Sequence, residues 1–212
     1  MSVPLFFDTP QESPLKLKVL RHICATPNAN YETLTYEIKR HRTTVLRSLK
    51  SLLRDGYIEE QKIDPKYAKS KLIFLPTLKG LSFAWFNWKL KISDMVLPSD
   101  GQIANYIQYI KEAFSDSQQQ LLLELLFSQF EHSDQELENV SSTTRKEVIK
   151  DCFCRGLLEL VRQNDYSAKR LGSKASMKWL NRIFTPEELA EIRKLLTSIR
   201  DNLTVTIQQF PG

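Results

Sequence analysis

The sequence predicts a mainly α-helical protein with a small β-hairpin in its first half. Three observations carry this. Apolar residues recur three and four apart over most of the chain, the period of one helix face. Helix-start signals precede several of these runs, the strongest being Thr185-Pro-Glu-Glu188. Two short runs of strand-like composition, 57–63 and 72–75, flank the turn signal Asp64-Pro65 and a basic segment.

Residues 1–14 hold Pro4, Pro10 and Pro14 and read as an irregular arm. Leu15, Leu17, Val19, Leu20 and Ile23 predict a short helix, broken by Pro27-Asn-Ala-Asn30. Leu34 and Ile38 place a second short helix over 31–39. Val45, Leu49, Leu52 and Leu53 are spaced 4, 3 and 1, which predicts a helix over 42–55. Gly56 follows where a left-handed residue ends helices. After the two strands, Thr77 caps a helix running from Leu78 towards Met95. Pro98 and Gly101 mark a break, and Ile103, Ile107 and Ile110 lie on a helix over 102–114. Residues 117–131 are apolar on most sides and predict a buried helix. A short helix over 134–140 comes next, and Thr144 with Glu147 forms a capping box for the one after it. The last helix repeats Leu189, Ile192, Leu196, Ile199 and Leu203, a narrow stripe suited equally to a dimer seam or to a core-facing helix.

Composition bounds the function. The chain has 212 residues, 42% apolar and 26% charged, which is globular composition. No apolar run approaches the ~18 residues that span a bilayer. The N-terminus has no basic start or long apolar stretch, so no signal peptide is expected. Cys24, Cys152 and Cys154 form no disulfide framework, and a cytoplasmic protein with reduced thiols is expected. The net charge of +5 is unevenly spread. Residues 1–91 hold 16 Lys and Arg against 8 Asp and Glu. Residues 141–182 hold ten against four. Clustered positive charge attracts polyanions through counterion release.

The first basic segment coincides with a motif. Leu34, Ile38, Val45, Leu49, Leu52, Gly56 and Ile58 keep a fixed spacing, and Pro76-Thr-Leu-Lys-Gly80 follows the second strand. Together with the order of elements, these residues resemble the winged helix-turn-helix domain of MarR- and ArsR-like transcription regulators over about residues 13–92. Lys39 and Arg40 replace the small and apolar residues usual in the turn, so the generic winged helix is the safer form of the resemblance. The resemblance implies a recognition helix at 42–55 in the major groove and a wing at 64–71 on the DNA backbone. Arg42, Thr43, Thr44, Arg47 and Ser48 would then face the bases, with Lys50 and Arg54 on phosphates. Lys66, Lys69 and Lys71 on the wing would meet the backbone or minor groove. The helix carries no acid from Arg42 to Arg54.

A second copy is suggested by setting residues 43–59 against 143–159. Thr43/Thr143, Thr44/Thr144, Lys50/Lys150, Gly56/Gly156 and Glu59/Glu159 are identical, while Val45 meets Arg145. Strands at 157–161 and 177–180 around a basic loop would complete a second winged helix. A second DNA-binding patch would then comprise Thr144, Arg145, Lys146, Lys150, Lys169, Arg170 and Lys174. The other reading of this half is a plain helical dimerisation or effector domain.

Other constellations are weaker. Cys152-x-Cys154 lies in an expected helix, where residues two apart face different ways, so no metal site is expected. His22, His41 and His132 stand alone, and His41 suits a capping or surface role. No phosphate-binding glycine loop or nucleophile signature stands out, so neither enzyme activity nor a cofactor is expected. Phe83, Trp85, Phe86 and Trp88 crowd more than one face of a helix. They suit packing against neighbouring helices, or else a subunit interface or effector pocket. The sequence as a whole predicts a DNA-binding domain at 13–95, a linker helix within 96–116 and a helical C-terminal domain at 117–212. The expected function is sequence-specific duplex DNA binding in transcription regulation, as a homodimer and without membrane contact. A monomeric tandem winged-helix initiator of plasmid or viral replication is one alternative. A winged helix serving protein contacts without DNA is another.

Overall fold

The computed structural model describes residues 13–63, 72–131, 142–162 and 173–209. The elements are α1 (Pro14–Ala25), α2 (Tyr31–Ile38), α3 (Arg42–Arg54), β1 (Ile58–Lys62), β2 (Leu72–Pro76), α4 (Leu78–Trp88), α5 (Gly101–Ala113), α6 (Asp116–Glu131), α7 (Ser142–Arg162), α8 (Lys174–Ile183) and α9 (Pro186–Gln209). The chain divides into two compact units, Met1–Ser99 and Asp100–Gly212. The described residues are mainly helical, with one two-stranded antiparallel hairpin. Lys66, Lys69 and Lys71, the helix expected over 134–140, and Lys169 with Arg170 lie outside them.

In the first unit, local side chains set the helix starts. Ser13 accepts from the Lys16 N–H at 3.4 Å, with Pro14 in the first turn of α1. Asn30 accepts from the N–H groups of Glu32 and Thr33 at 2.9 and 3.0 Å, and the Thr33 hydroxyl accepts from the Asn30 N–H at 2.9 Å. These reciprocal bonds form the capping box of α2. Leu20 and Ile23 of α1 and Leu49 and Leu52 of α3 are fully buried. Each such side chain contributes about 1.5–3 kcal/mol of transfer free energy.

The turn after α3 organises the rest of the unit. Gly56, at φ 71°, ends the helix in the left-handed region. The Thr77 hydroxyl donates to the Gly56 carbonyl at 2.6 Å and accepts from the Gly80 N–H at 3.1 Å. A Cβ added to Gly80 would stand 2.1 Å from the Tyr57 carbonyl oxygen. That neighbour is backbone and cannot rotate aside. Gly80→Ala is therefore expected to destabilise the first unit by about 1–3 kcal/mol, despite the ~1 kcal/mol that alanine gains in helix propensity. A denaturant midpoint equal to or above wild type would overturn that close approach.

β1 pairs antiparallel with β2, from Ile58 opposite Pro76 to Lys62 opposite Leu72. The Phe74 N–H donates to the Ala29 carbonyl at 2.8 Å, and Asn30 bridges Ile73, so the hairpin is tied to the entry of α2. α4 ends at Trp88, short of the expected Met95, with Lys89 left-handed at φ 49°. Met95 is buried and the next N–H, of Val96, donates to the Cys24 carbonyl at 2.8 Å. The chain must leave the helix to make that return to α1.

In the second unit, the segment expected as a linker holds α5, which supplies Ile103, Tyr106, Ile107, Tyr109 and Ile110 to the core. Phe153 of α7 lies against Tyr106, Tyr109 and Phe184, with ring centroids at 6.4, 5.8 and 6.5 Å.

The expected second hairpin is corrected by the structure. Residues 157–161 are the last turns of α7, and 177–180 lie inside α8. Gly156 does not end α7 as Gly56 ends α3. It is helical and buried, and a Cβ there would come within 2.1 Å of Leu122 Cδ2. Its missing side chain serves close packing of α6 on α7 rather than a left-handed turn. Ile149, Cys152, Phe153 and Leu160 are buried on the same helix, at helical spacing. Ser176, Leu180 and Ile183 do likewise for α8, which is incompatible with a strand. The tandem reading loses its structural basis here.

Candidate nucleic-acid interface

α3 is positioned by its apolar face. Val45, Ser48, Leu49 and Leu52 are its buried residues. At 100° per residue, Thr43, Arg47, Lys50 and Arg54 form a stripe on the opposite side, spaced 4, 3 and 4. All four are exposed, and Leu46 beside them is 41% exposed. Arg47 and Lys50 have no carboxylate partner among the described residues.

The first turn of α3 is pinned. The His41 imidazole caps the helix by accepting from the Thr43 N–H at 3.4 Å, and its Nδ1 lies 2.9 Å from the Thr43 hydroxyl. Arg42 is held by Tyr31 of α2. Its Nε donates to the Tyr31 hydroxyl at 2.9 Å and its guanidinium lies 4.9 Å from the ring centroid. The Tyr31 hydroxyl in turn donates to the Arg42 carbonyl at 3.0 Å. Tyr31 has a role in this surface that no sequence pattern marks, because the pairing spans eleven residues and two helices.

The far end of α3 is anchored by charge. Asp55 accepts from Lys16 Nζ at 2.7 Å, from the Ser51 hydroxyl at 3.2 Å and from Arg54 Nε at 2.9 Å. Burial alone would push the Asp55 carboxyl up, but the hydrogen bonds from Lys16 and Arg54 outweigh it and hold it below the usual carboxylate range. Arg54 is thus paired with an acid, while Arg47 and Lys50 meet none among the described residues.

Of the residues expected on this face, the structure brings together Thr43, Arg47, Lys50 and Arg54, with Arg42 and Thr44 exposed on the flanks. Ser48 departs from the expectation. It is 8% exposed and its hydroxyl donates to the Thr44 carbonyl at 3.3 Å, on the core side of the helix. Lys39 and Arg40, between α2 and α3, are also exposed, and Lys39 adopts φ 54°.

On α7, the cations of the second expected patch are paired with acids. Arg145 pairs with Asp100, the N-cap of α5. Lys146 reaches Glu188 at 2.8 Å and Lys150 reaches Glu191 at 3.1 Å, both acids on α9. The Lys146 hydrogen bond and the Thr185 N–H hold the Glu188 carboxyl below its ordinary range. These three cations stitch helices together and offer no unpaired charge. Arg155 and Arg162 pair with Asp151 and Glu159 on α7 itself. Thr144 lies on α7, and Lys174 is exposed at the start of α8.

Cys152 and Cys154 are buried, and burial pushes the Cys152 thiol up to about 12. Among the described residues, no group of three or more His, Cys, Asp and Glu is placed to hold a metal ion. None of the described helices is long and apolar enough to cross a membrane. No family model, curated protein or solved structure matches the chain.

Proposed function

We propose that the protein binds duplex DNA, with the first unit acting as a winged helix-turn-helix and α3 entering the major groove. The observation that carries this reading is the outward stripe Thr43, Arg47, Lys50 and Arg54 on a helix whose other face is anchored in the core. Arginine donates to guanine edges, and threonine suits base edges or phosphates. Leu46, exposed beside the stripe, offers an apolar contact for a thymine methyl. The basic connection between β1 and β2 carries Lys66, Lys69 and Lys71 and serves the DNA backbone. The role is sequence-specific transcription regulation, with a homodimer reading a two-fold symmetric site.

Duplex binding by the full chain across a salt series tests this. The logarithm of the affinity is expected to fall linearly with the logarithm of salt, with a slope of about −0.9 for each phosphate neutralised. Selection from a random duplex pool is expected to return a short, palindromic consensus. A flat salt response, or a pool that does not enrich, would overturn the reading.

A further inference from the structure

Three cations of the second unit without a carboxylate partner among the described residues lie on α8, besides the exposed Arg193 and Lys194 of α9. At 100° per residue, Lys174, Lys178 and Arg182 fall on one face, opposite the buried Ser176, Leu180 and Ile183. All three are exposed and have no carboxylate partner among the described residues. α7 behaves differently, since Arg145, Lys146, Lys150, Arg155 and Arg162 each meet an acid.

Intrahelical charge disfavours Lys174 and Lys178 on this face, whereas Arg182 lies in the last turn, where the dipole favours a cation. Like charges four apart on a helix repel. Lys174 sits in the first turn, where the helix dipole disfavours a cation. α8 contains no acidic residue to offset either effect.

Two of the cations are held in place. Lys178 Nζ lies 4.4 Å and the Arg182 guanidinium 4.7 Å from the Trp179 ring centroid. The indole is fixed in turn, because its Nε1 donates to Glu112 of α5 at 2.7 Å. Held side chains lose less rotamer freedom on binding, so a ligand meets a partly organised positive surface. Eight residues at 1.5 Å rise give a span of about 12 Å. One DNA strand carries a phosphate about every 3.4 Å along the axis, so about three phosphates match that length.

We propose that Lys174, Lys178 and Arg182, the last two organised by Trp179, form a second binding surface for the phosphodiester backbone of DNA. This rests on the DNA-binding reading of α3, and adds that the helical second unit contributes affinity without reading sequence.

The test compares full-length wild type, Lys174→Gln with Lys178→Gln and Arg182→Gln, and Arg47→Ala with Lys50→Ala. Glutamine keeps a stem over the Trp179 ring while removing the charge. The α8 variant is expected to bind duplex DNA about tenfold more weakly at moderate salt, with a salt slope shallower by about one unit for each phosphate no longer neutralised. Its preferred sequence should not change. Exchange of the cation type, Lys178→Arg with Arg182→Lys, is expected to retain binding. Wild-type affinity and slope in the glutamine variant, alongside weakened binding by the α3 variant, would overturn the α8 surface and leave the α3 reading standing. Absence of duplex binding by wild type would overturn both.

Discussion

Replacing Arg47 and Lys50 together by alanine is expected to weaken duplex binding about 10- to 100-fold, since a well-placed bidentate base contact alone is worth about 1–3 kcal/mol. Both side chains are exposed on α3 and make no ion pair among the described residues. Surface changes of this kind usually leave stability within about 0.5 kcal/mol of wild type. The loss should therefore appear in binding while thermal unfolding is unchanged. Fluorescence anisotropy on a selected duplex checks it. Arg47 is expected to govern preference among sequences, and Lys50 chiefly the salt slope. Full affinity in the double variant would show that α3 is not the reading helix. The fold would then favour protein contacts through the same exposed face.

Removing the Phe153 ring should have the largest effect on stability. It is 5% exposed and packs edge-on against Tyr106 and Tyr109, which are themselves fully buried. Phe→Ala in such a core costs about 3–5 kcal/mol, from the transfer energy forgone and the cavity left behind. At about 4 °C or more per kcal/mol for a domain of this size, the melting temperature of the second unit should fall by roughly 12 °C or more. Calorimetry on the full chain checks this, and a shift below about 1 kcal/mol would place Phe153 outside the core. The Tyr106 hydroxyl is buried without a partner among the described residues, and burial pushes its phenol well above the ordinary value. The polar atom gains nothing there, so the aromatic area must supply the stability of this centre.

Much of the first unit is legible in the sequence because its signals are local. Thr77 caps α4, as expected, through a bond to Gly80 three positions away, and Asn30, read as part of a break, caps α2 over the same short range. The spacing Val45, Leu49, Leu52 defines a buried face, and the exposed stripe of α3 follows from it by geometry. Ser48 departs from its expected place because it sits at the edge of that face. Its burial depends on what covers the helix flank, which periodicity does not encode.

The second unit is less legible, and one residue type explains much of the difference. Glycine at 56 and 156 carries the same letter with opposite meanings. Gly56 turns left-handed and stops a helix, while Gly156 stays helical so that Leu122 can approach. The 100-residue offset equates the two and so predicts strands where α7 and α8 are continuous helices.

Charge divides in the same way. Composition alone locates two basic segments and their net sign. It does not say which charges are available, because availability depends on acids distant in the chain. Lys146 and Lys150 find Glu188 and Glu191 about forty residues on, and Arg145 finds Asp100 well before it. The sequence by itself determined the helical character, the hairpin and the exposed basic stripe of α3, since caps, turns and amphipathic spacing act within a few residues. Only the tertiary structure decided that the cations of α7 are paired while Lys174, Lys178 and Arg182 of α8 are not, because Coulomb attraction and packing operate between residues that folding alone makes neighbours.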